Sequence, residues 1–402
     1  MSNHDTNSKS KTLFALTSAA MGLGLSAKPT IAAIEEGSTL SVQGSFYAED
    51  DIDAEDQSAQ GSPERYEIPT AQIRFRSAVS DETEVIFTYA GETLSGASPW
   101  YVQPVFGAEI TEDLDDTEVE QVTSGATIDE ERHEYGFSFR QYHGDAYLGL
   151  NFGYSTENDY KSASFGVNGS YSFNDKATTL ELAVSANDDE IEPNGREIFS
   201  ERVEREDKDA FNALIGVTQI VNKDLVVNTS LSFARFRGFL SDPYKLVWLV
   251  DRSNVLADSR PDNKAQIAWN LASRYFVEQV NAAVHADYRF YTNDWGVISH
   301  TIDLGWYQNF FENQFILAPQ IRFYTQSSAE FYSPFFLTER RDGFYTSDYR
   351  LSEYTSVSGQ LKASVRLEKF NIHASFERYT SFGDNPGLVN FNLFTAGFDV
   401  KF

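Results

Sequence analysis

His285, Asp287, Arg289 and Tyr291 occupy every second position of one short segment, with Val284, Ala286, Tyr288 and Phe290 between them. On an extended chain this spacing turns the polar side chains to one face and the apolar ones to the other. An imidazole near a carboxylate could activate a nucleophilic Ser for hydrolysis, provided that a Ser stands within hydrogen-bond reach. The same face could instead line an aqueous pore and select ions by charge, or lock itself shut through ion pairs. Equivalent phases put Arg274, Asp303, Arg322, Lys362, Arg366, His373 and Glu377 on the matching face of neighbouring segments. With only six His and no Gly-x-Ser-x-Gly elbow, paired-carboxylate signature or His-rich metal spacing, the pattern favours a charged wall over a catalytic centre. The chain has no Cys, which removes thiolate nucleophiles, thiolate metal sites and disulfides together. The expectation is a non-enzyme with no catalytic residues, no cofactor and no metal site.

The elements that would carry such a wall are strands. At the C-terminus Phe394, Ala396, Phe398, Val400 and Phe402 alternate with Leu393, Thr395, Gly397, Asp399 and Lys401. A strand with one lipid-compatible face and one small or polar face suits a membrane β-barrel, and a terminal aromatic resembles the signal read by barrel-assembly machinery. The alternation recurs at Ile73, Phe75 and Val79, again from Ala146 to Tyr154, and again from Ala163 to Phe173. It returns at Phe315 to Phe323 and at Val357 to Val365. Gly and Ser are frequent on the second face, as a water-lined lumen tolerates and a packed core does not. No run of eighteen apolar residues exists for a helical span after the N-terminus, and the mean hydropathy of -0.40 is what period-two dilution produces in a barrel. Aromatics make up 14%, enough for interfacial girdles and more than a secreted β-sandwich would turn outward.

Tight polar turns are expected near residues 80–81, 143–145, 174–176, 222–224, 278–281, 311–314 and 368–371. Longer segments alternate with them, near 48–64, 92–130, 156–160, 188–206, 239–263, 292–296, 326–352 and 382–389. Short periplasmic turns opposite long extracellular loops give a transmembrane antiparallel barrel of about 16 strands. Tyr244 to Val250 and Phe344 to Leu351 could each be a strand or a folded loop, leaving 14 or 18 as alternatives. Lys9 and Lys11 precede an apolar run, Leu13 to Leu25, and small residues around Ala32 and Ala33. Residues 1–33 therefore read as a cleaved signal peptide and 34–402 as the outer-membrane barrel. The formal charge is -28, from 60 acidic and 32 basic residues, with acid concentrated at 49–55, 109–134 and 188–207. Such a surface excludes a nucleic-acid partner and reads as solvated loops; none of the runs has the ligand spacing of a calcium loop.

Three clusters exceed what ordinary strands need: Gly91 to Trp100, Ala286 to Gly296 with His300 beyond, and Ile321 to Ala329 leading into Phe331 and Tyr332. Gly91, Gly96 and Pro99 would set a loop at the barrel mouth, and Trp100, Trp295 and Tyr291 would sit at the membrane interface or pack loops together. With Ser241-Asp-Pro-Tyr-Lys245 and Ser347-Asp-Tyr-Arg-Leu-Ser352, these clusters resemble the DUF3570 family of bacterial proteins over nearly all of the mature chain. The resemblance implies no catalytic residues, since the family is named for unknown function. It does imply an envelope redox setting, because genes for a small lipoprotein, a thioredoxin-like protein and a flavin transferase often lie beside those of the family. The expected function is a channel or scaffold gated or plugged by acidic loops. The alternatives are a barrel that houses or docks a periplasmic or lipoprotein redox component, and, more remotely, an outer-membrane hydrolase. Outer-membrane lipid and the assembly machinery are the expected partners.

Overall fold

The computed structural model describes residues 36–110, 117–124, 128–195 and 202–402. The expected signal peptide, 1–33, lies outside the described residues. The chain forms β1 (Ser38–Glu49), β2 (Glu67–Ser80), β3 (Thr83–Gly96), β4 (Pro99–Pro104), β5 (Val119–Thr123), β6 (Ile128–His143) and β7 (Ala146–Thr156). It continues through β8 (Tyr160–Phe173), β9 (Thr178–Ile191), β10 (Glu206–Ile220), β11 (Leu225–Gly238), β12 (Leu246–Leu249), β13 (Asn254–Ala257) and β14 (Asn263–Val277). The remainder is β15 (Ala282–Asn293), β16 (Ile298–Phe310), β17 (Phe315–Gln326), β18 (Tyr354–Arg366), β19 (Phe370–Phe382) and β20 (Phe391–Lys401).

Sixteen of these strands close one antiparallel barrel, in the order β1-β2-β3-β6-β7-β8-β9-β10-β11-β14-β15-β16-β17-β18-β19-β20. The C-terminal strand β20 pairs with β1 from Thr39↔Lys401 to Glu49↔Phe391 and removes the last free edge. Ser38 and Phe402 exchange both backbone hydrogen bonds at the seam, at 2.8 and 3.0 Å. The count of sixteen is borne out. Tyr244 to Val250 contributes only β12, which pairs with β13 in a loop hairpin, and Phe344 to Leu351 ends in a single 3-10 turn, Tyr349–Leu351.

The short and long connections fall at opposite ends, as the alternation of turn residues and charged loops requires. Asn174, Asp175 and Lys176 turn β8 into β9 with φ of 54, 53 and 66°, a left-handed path that Asn and Asp tolerate. The outward face is apolar and aromatic. Phe87, Phe137, Phe152 and Phe165 form one cross-strand row, with ring separations of 5.0, 6.4 and 5.2 Å. Tyr89, Tyr135 and Tyr154 form the next row towards the extracellular end. Tyr171, Tyr275, Trp306, Phe310 and Phe370 are exposed near the other end, so a lipid-facing band is bounded by amphipathic rings on both sides.

Candidate functional site

The inward phase of β14 to β19 gathers the charged residues expected there. Arg274 on β14 reaches Asp287 on β15 through two contacts, one of 2.8 Å, and Asp287 is the cross-strand partner of Asp303 on β16. Asp303 accepts from Arg322 Nε on β17 at 2.6 Å. Gln320 bridges to Gln360 at 3.0 Å, and Gln360 to Glu377 at 3.1 Å. His373 meets Gln43 across β20 at 3.2 Å. Arg289, Lys362 and Arg366 make no ion pair among the described residues; Arg289 lies 5.9 Å from the ring centre of Tyr291. His285 stacks on Tyr307 with centroids 3.9 Å apart, while the carboxylate of Asp287 is taken by Arg274. Nothing in this arrangement supports the hydrolase reading.

The opposite arc, β2 to β9, has a second charged cluster, where Arg74 and Arg76 alternate with Ile73 and Phe75 along β2. Arg76 Nε donates to Glu84 Oε2 at 2.5 Å and Arg140 Nη1 to Glu84 Oε1 at 3.3 Å. Nearer the extracellular end Arg132 joins Glu92, Glu134 and Glu157 at 3.4, 3.0 and 3.4 Å. These pairs join neighbours along the wall; among the described residues no ion pair crosses the bore from one arc to the other.

At the extracellular end the long loops fold together into a cap. Gly96 ends β3 with φ of 126°, and a Cβ there would stand 2.3 Å from the Arg65 carbonyl, so only glycine lets the two loops touch. Gly91, expected in the loop, lies within β3 opposite Ala71 and His133, because the β3–β6 ladder runs on to Gly96. Pro99 opens β4, and its carbonyl accepts from Lys245 Nζ at 2.6 Å. Trp100 belongs to the β4–β5 loop hairpin, whose Tyr101 stacks on Trp248 of β12. Trp295 is not an interface residue: it is buried with Val297, Ala329 and Phe331, and its indole N–H donates to the Asn263 carbonyl at 3.0 Å.

The centre of the cap is a buried charge cluster. Asp348 receives Arg260 Nη2 at 2.9 Å and Arg350 Nε at 2.9 Å. Arg260 Nε also reaches Asp258 at 2.7 Å, and Arg350 Nη2 reaches Asp242 at 2.6 Å. Burial alone would raise the Asp348 pKa, but Arg350, Lys245 and Arg260 outweigh it and hold the carboxyl well below the usual range. Burial pushes Lys245 down to about 8, where its ammonium rests 5.2 Å from the Tyr349 ring centre. Arg65 ties the first loop in, pairing with Glu49 at 2.8 Å and donating to the Gly387 carbonyl at 3.3 Å. Asn385 donates to the Tyr332 hydroxyl at 2.7 Å. Beside the cluster, burial raises Glu157 to about 8, with Arg132 opposing, and raises Asp159 to about 7, with Glu130 adding to it; Asp159 accepts from the Tyr244 hydroxyl.

Residues 13–394 match the family model described as "Protein of unknown function (DUF3570)". The chain belongs to this family. No curated protein sequence matches it. Among solved structures, CdiB from Acinetobacter baumannii aligns with a TM-score of 0.51 at 8% identity, over 91% of this chain and 60% of that one. A bacterial polysaccharide outer membrane secretin aligns at 0.47 and 9% identity, over 92% and 99% of the two chains. OccAB4 from Acinetobacter baumannii aligns at 0.42 and 7% identity, over 92% and 98%. The fold is that of outer-membrane barrels.

The two short family motifs, distant in sequence, meet in the cap: Asp242, Tyr244 and Lys245 from one, Ser347 to Arg350 from the other. Ser347 Oγ donates to the Leu246 carbonyl at 2.9 Å, closing the join. Of the longer clusters, Trp295 and Ala329 meet in one buried group. Missing from the sequence-based expectations are Arg260 and Asp258, which stand in the long segment 239–263 with no periodicity to flag them.

Proposed function

We propose that this DUF3570 member is a passive outer-membrane channel whose extracellular mouth is closed by its own loops. The observation that carries the reading is the contrast between cap and bore. The loops are tied to one another by buried ion pairs and apolar packing, whereas the wall pairs run strand to neighbouring strand and leave the lumen unlaced. A sixteen-stranded barrel has the circumference for an aqueous path, and its polar, Gly- and Ser-rich lining suits water. Arg289, Arg322, Lys362 and Arg366 would set selectivity, countered by Asp287, Asp303 and Glu377.

Planar-bilayer conductance of the purified protein, with Arg322→Ala and Lys362→Ala beside it, tests the reading. Conductance steps whose reversal potential shifts towards cations in both variants support it. A folded barrel that stays silent under all conditions points to a plugged scaffold instead. A barrel that sheathes a redox partner finds no support in the wall, which offers no feature particular to such a partner.

A further inference from the structure

We infer that the inner wall of β2, β3 and β6 to β9 holds a binding site for a small hydroxylated carboxylate, deepening the channel reading on which it rests. A recess of about 300 Å³ lies against this arc, with Arg74 and Arg140 towards its periplasmic end and Arg132 towards its extracellular end. That volume is at the lower bound for small-molecule sites and suits a solute of a few carbons rather than an oligomer.

The recess exists because the wall is thin there. A Cβ at Gly136 would stand 2.2 Å from Thr88 Oγ1 and one at Gly153 2.4 Å from Ser164 Oγ, both on the lining of the recess. The neighbouring polar side chains therefore lie flat over bare backbone, leaving room that a wall of larger residues would fill.

The chemistry is asymmetric along the recess. At one end the guanidinium groups of Arg74, Arg76 and Arg140 stand together, and Glu84 pairs with Arg76 and Arg140. Arg74 makes no ion pair among the described residues, and the Arg140 side chain, 32% exposed, meets Glu84 only at 3.3 Å. A carboxylate on the solute would accept from both arginines. Between the ends runs a neutral relay: Ser138 Oγ donates to Asn151, Asn151 to Asn168 and Asn168 to the Tyr147 hydroxyl, each at 2.8 Å. Amides and hydroxyls in a row match the hydroxyls of a polyol. At the far end Arg132 is already committed to Glu92, Glu134 and Glu157, so the anionic group belongs at the Arg74 end.

The test is calorimetric titration of gluconate, with glucose in parallel, into the full-length protein in detergent at low ionic strength. Gluconate should bind at least about tenfold more tightly than glucose, and Arg74→Ala and Arg140→Ala should each weaken it by about tenfold. Arg74→Lys should keep part of the affinity, and Arg235→Ala on the outward face of β11 should leave it unchanged. Each variant is first shown to fold by its heat-modifiable migration. No gluconate binding by the folded protein, equal binding of glucose, or affinity untouched by Arg74→Ala would overturn the assignment. Binding in detergent needs no conducting pore, so a silent bilayer with gluconate binding intact rejects the channel and keeps the site. Conductance without binding rejects the site and keeps the channel.

Discussion

Asp348 is the residue on which the cap depends. It is fully buried and takes two arginines from different segments, so replacing it with Asn leaves Arg260 and Arg350 without their shared counter-charge. Breaking a buried pair from one side costs about 3–5 kcal/mol, far more than an exposed pair would. The expected outcome of Asp348→Asn is a cap that opens while the barrel stays folded, read as faster protease cleavage within 239–262 or 327–353 at unchanged heat-modifiable migration. Cleavage no faster than in the wild type would show that the cluster does not hold the loops. At the lumen wall, Lys362 and Arg366 lack ion pairs among the described residues, so truncating either should move selectivity without a stability penalty. Arg322 differs, since its removal leaves Asp303 uncompensated and turns a neutral pair into a net negative charge on the wall.

The strands and loops carry different predictions. On β11, Leu231 faces outward and Ser230 inward one residue away. Leu231→Arg should therefore cost about 2–4 kcal/mol of barrel stability, while Ser230→Arg should cost little; urea titration in detergent compares them. Equal costs would mean that the phase is wrong. The loop between β7 and β8 is the pH-sensitive part. Glu157 and Asp159 have folded pKa values raised by burial to about 8 and about 7, above the ordinary carboxylate values they regain when the loop opens. The closed state then binds protons more tightly than the open one, so its stability is highest in acid and falls as pH rises from about 4.5 to 8. Lys245 works the other way, but only above about pH 8, where the open state holds its proton longer. Protease cleavage of the loops should be slower at pH 5 than at pH 7.5, and Glu157→Gln should flatten that difference. The strands were legible because lipid outside and water inside impose a strict period of two, and the turns because tight reversals demand Asn, Asp and Gly. The cap was not, because Arg260, Asp258 and Arg65 gain their meaning from loops that meet only in three dimensions. Trp295 shows the limit well: an aromatic next to a turn fits a membrane girdle and a buried loop contact equally, and only packing against Phe331 decides.

For the whole molecule, the excess of acid is separated from the bore. Among the described residues acid gathers at the extracellular ends of the strands and in the loops beyond them, as at Glu49 to Glu55 and Asp188 to Glu192, whereas the lower lumen mixes Arg74, Arg140, Arg322, Lys362 and Arg366 with fewer carboxylates. If the barrel conducts as proposed, an anionic exterior would repel anions at a distance and a cationic interior would favour them once inside, so the cap and the wall would act as separate filters. The central claim is that one closed barrel contains an aqueous path and that the cap blocks it. Single-channel recording of the wild type against Asp348→Asn, in the same planar bilayer at pH 7.5, tests this most directly. Rare, brief openings are expected in the wild type, and frequent, longer ones of the same unit conductance in the variant. Silence from both folded proteins, or identical opening statistics, would contradict it.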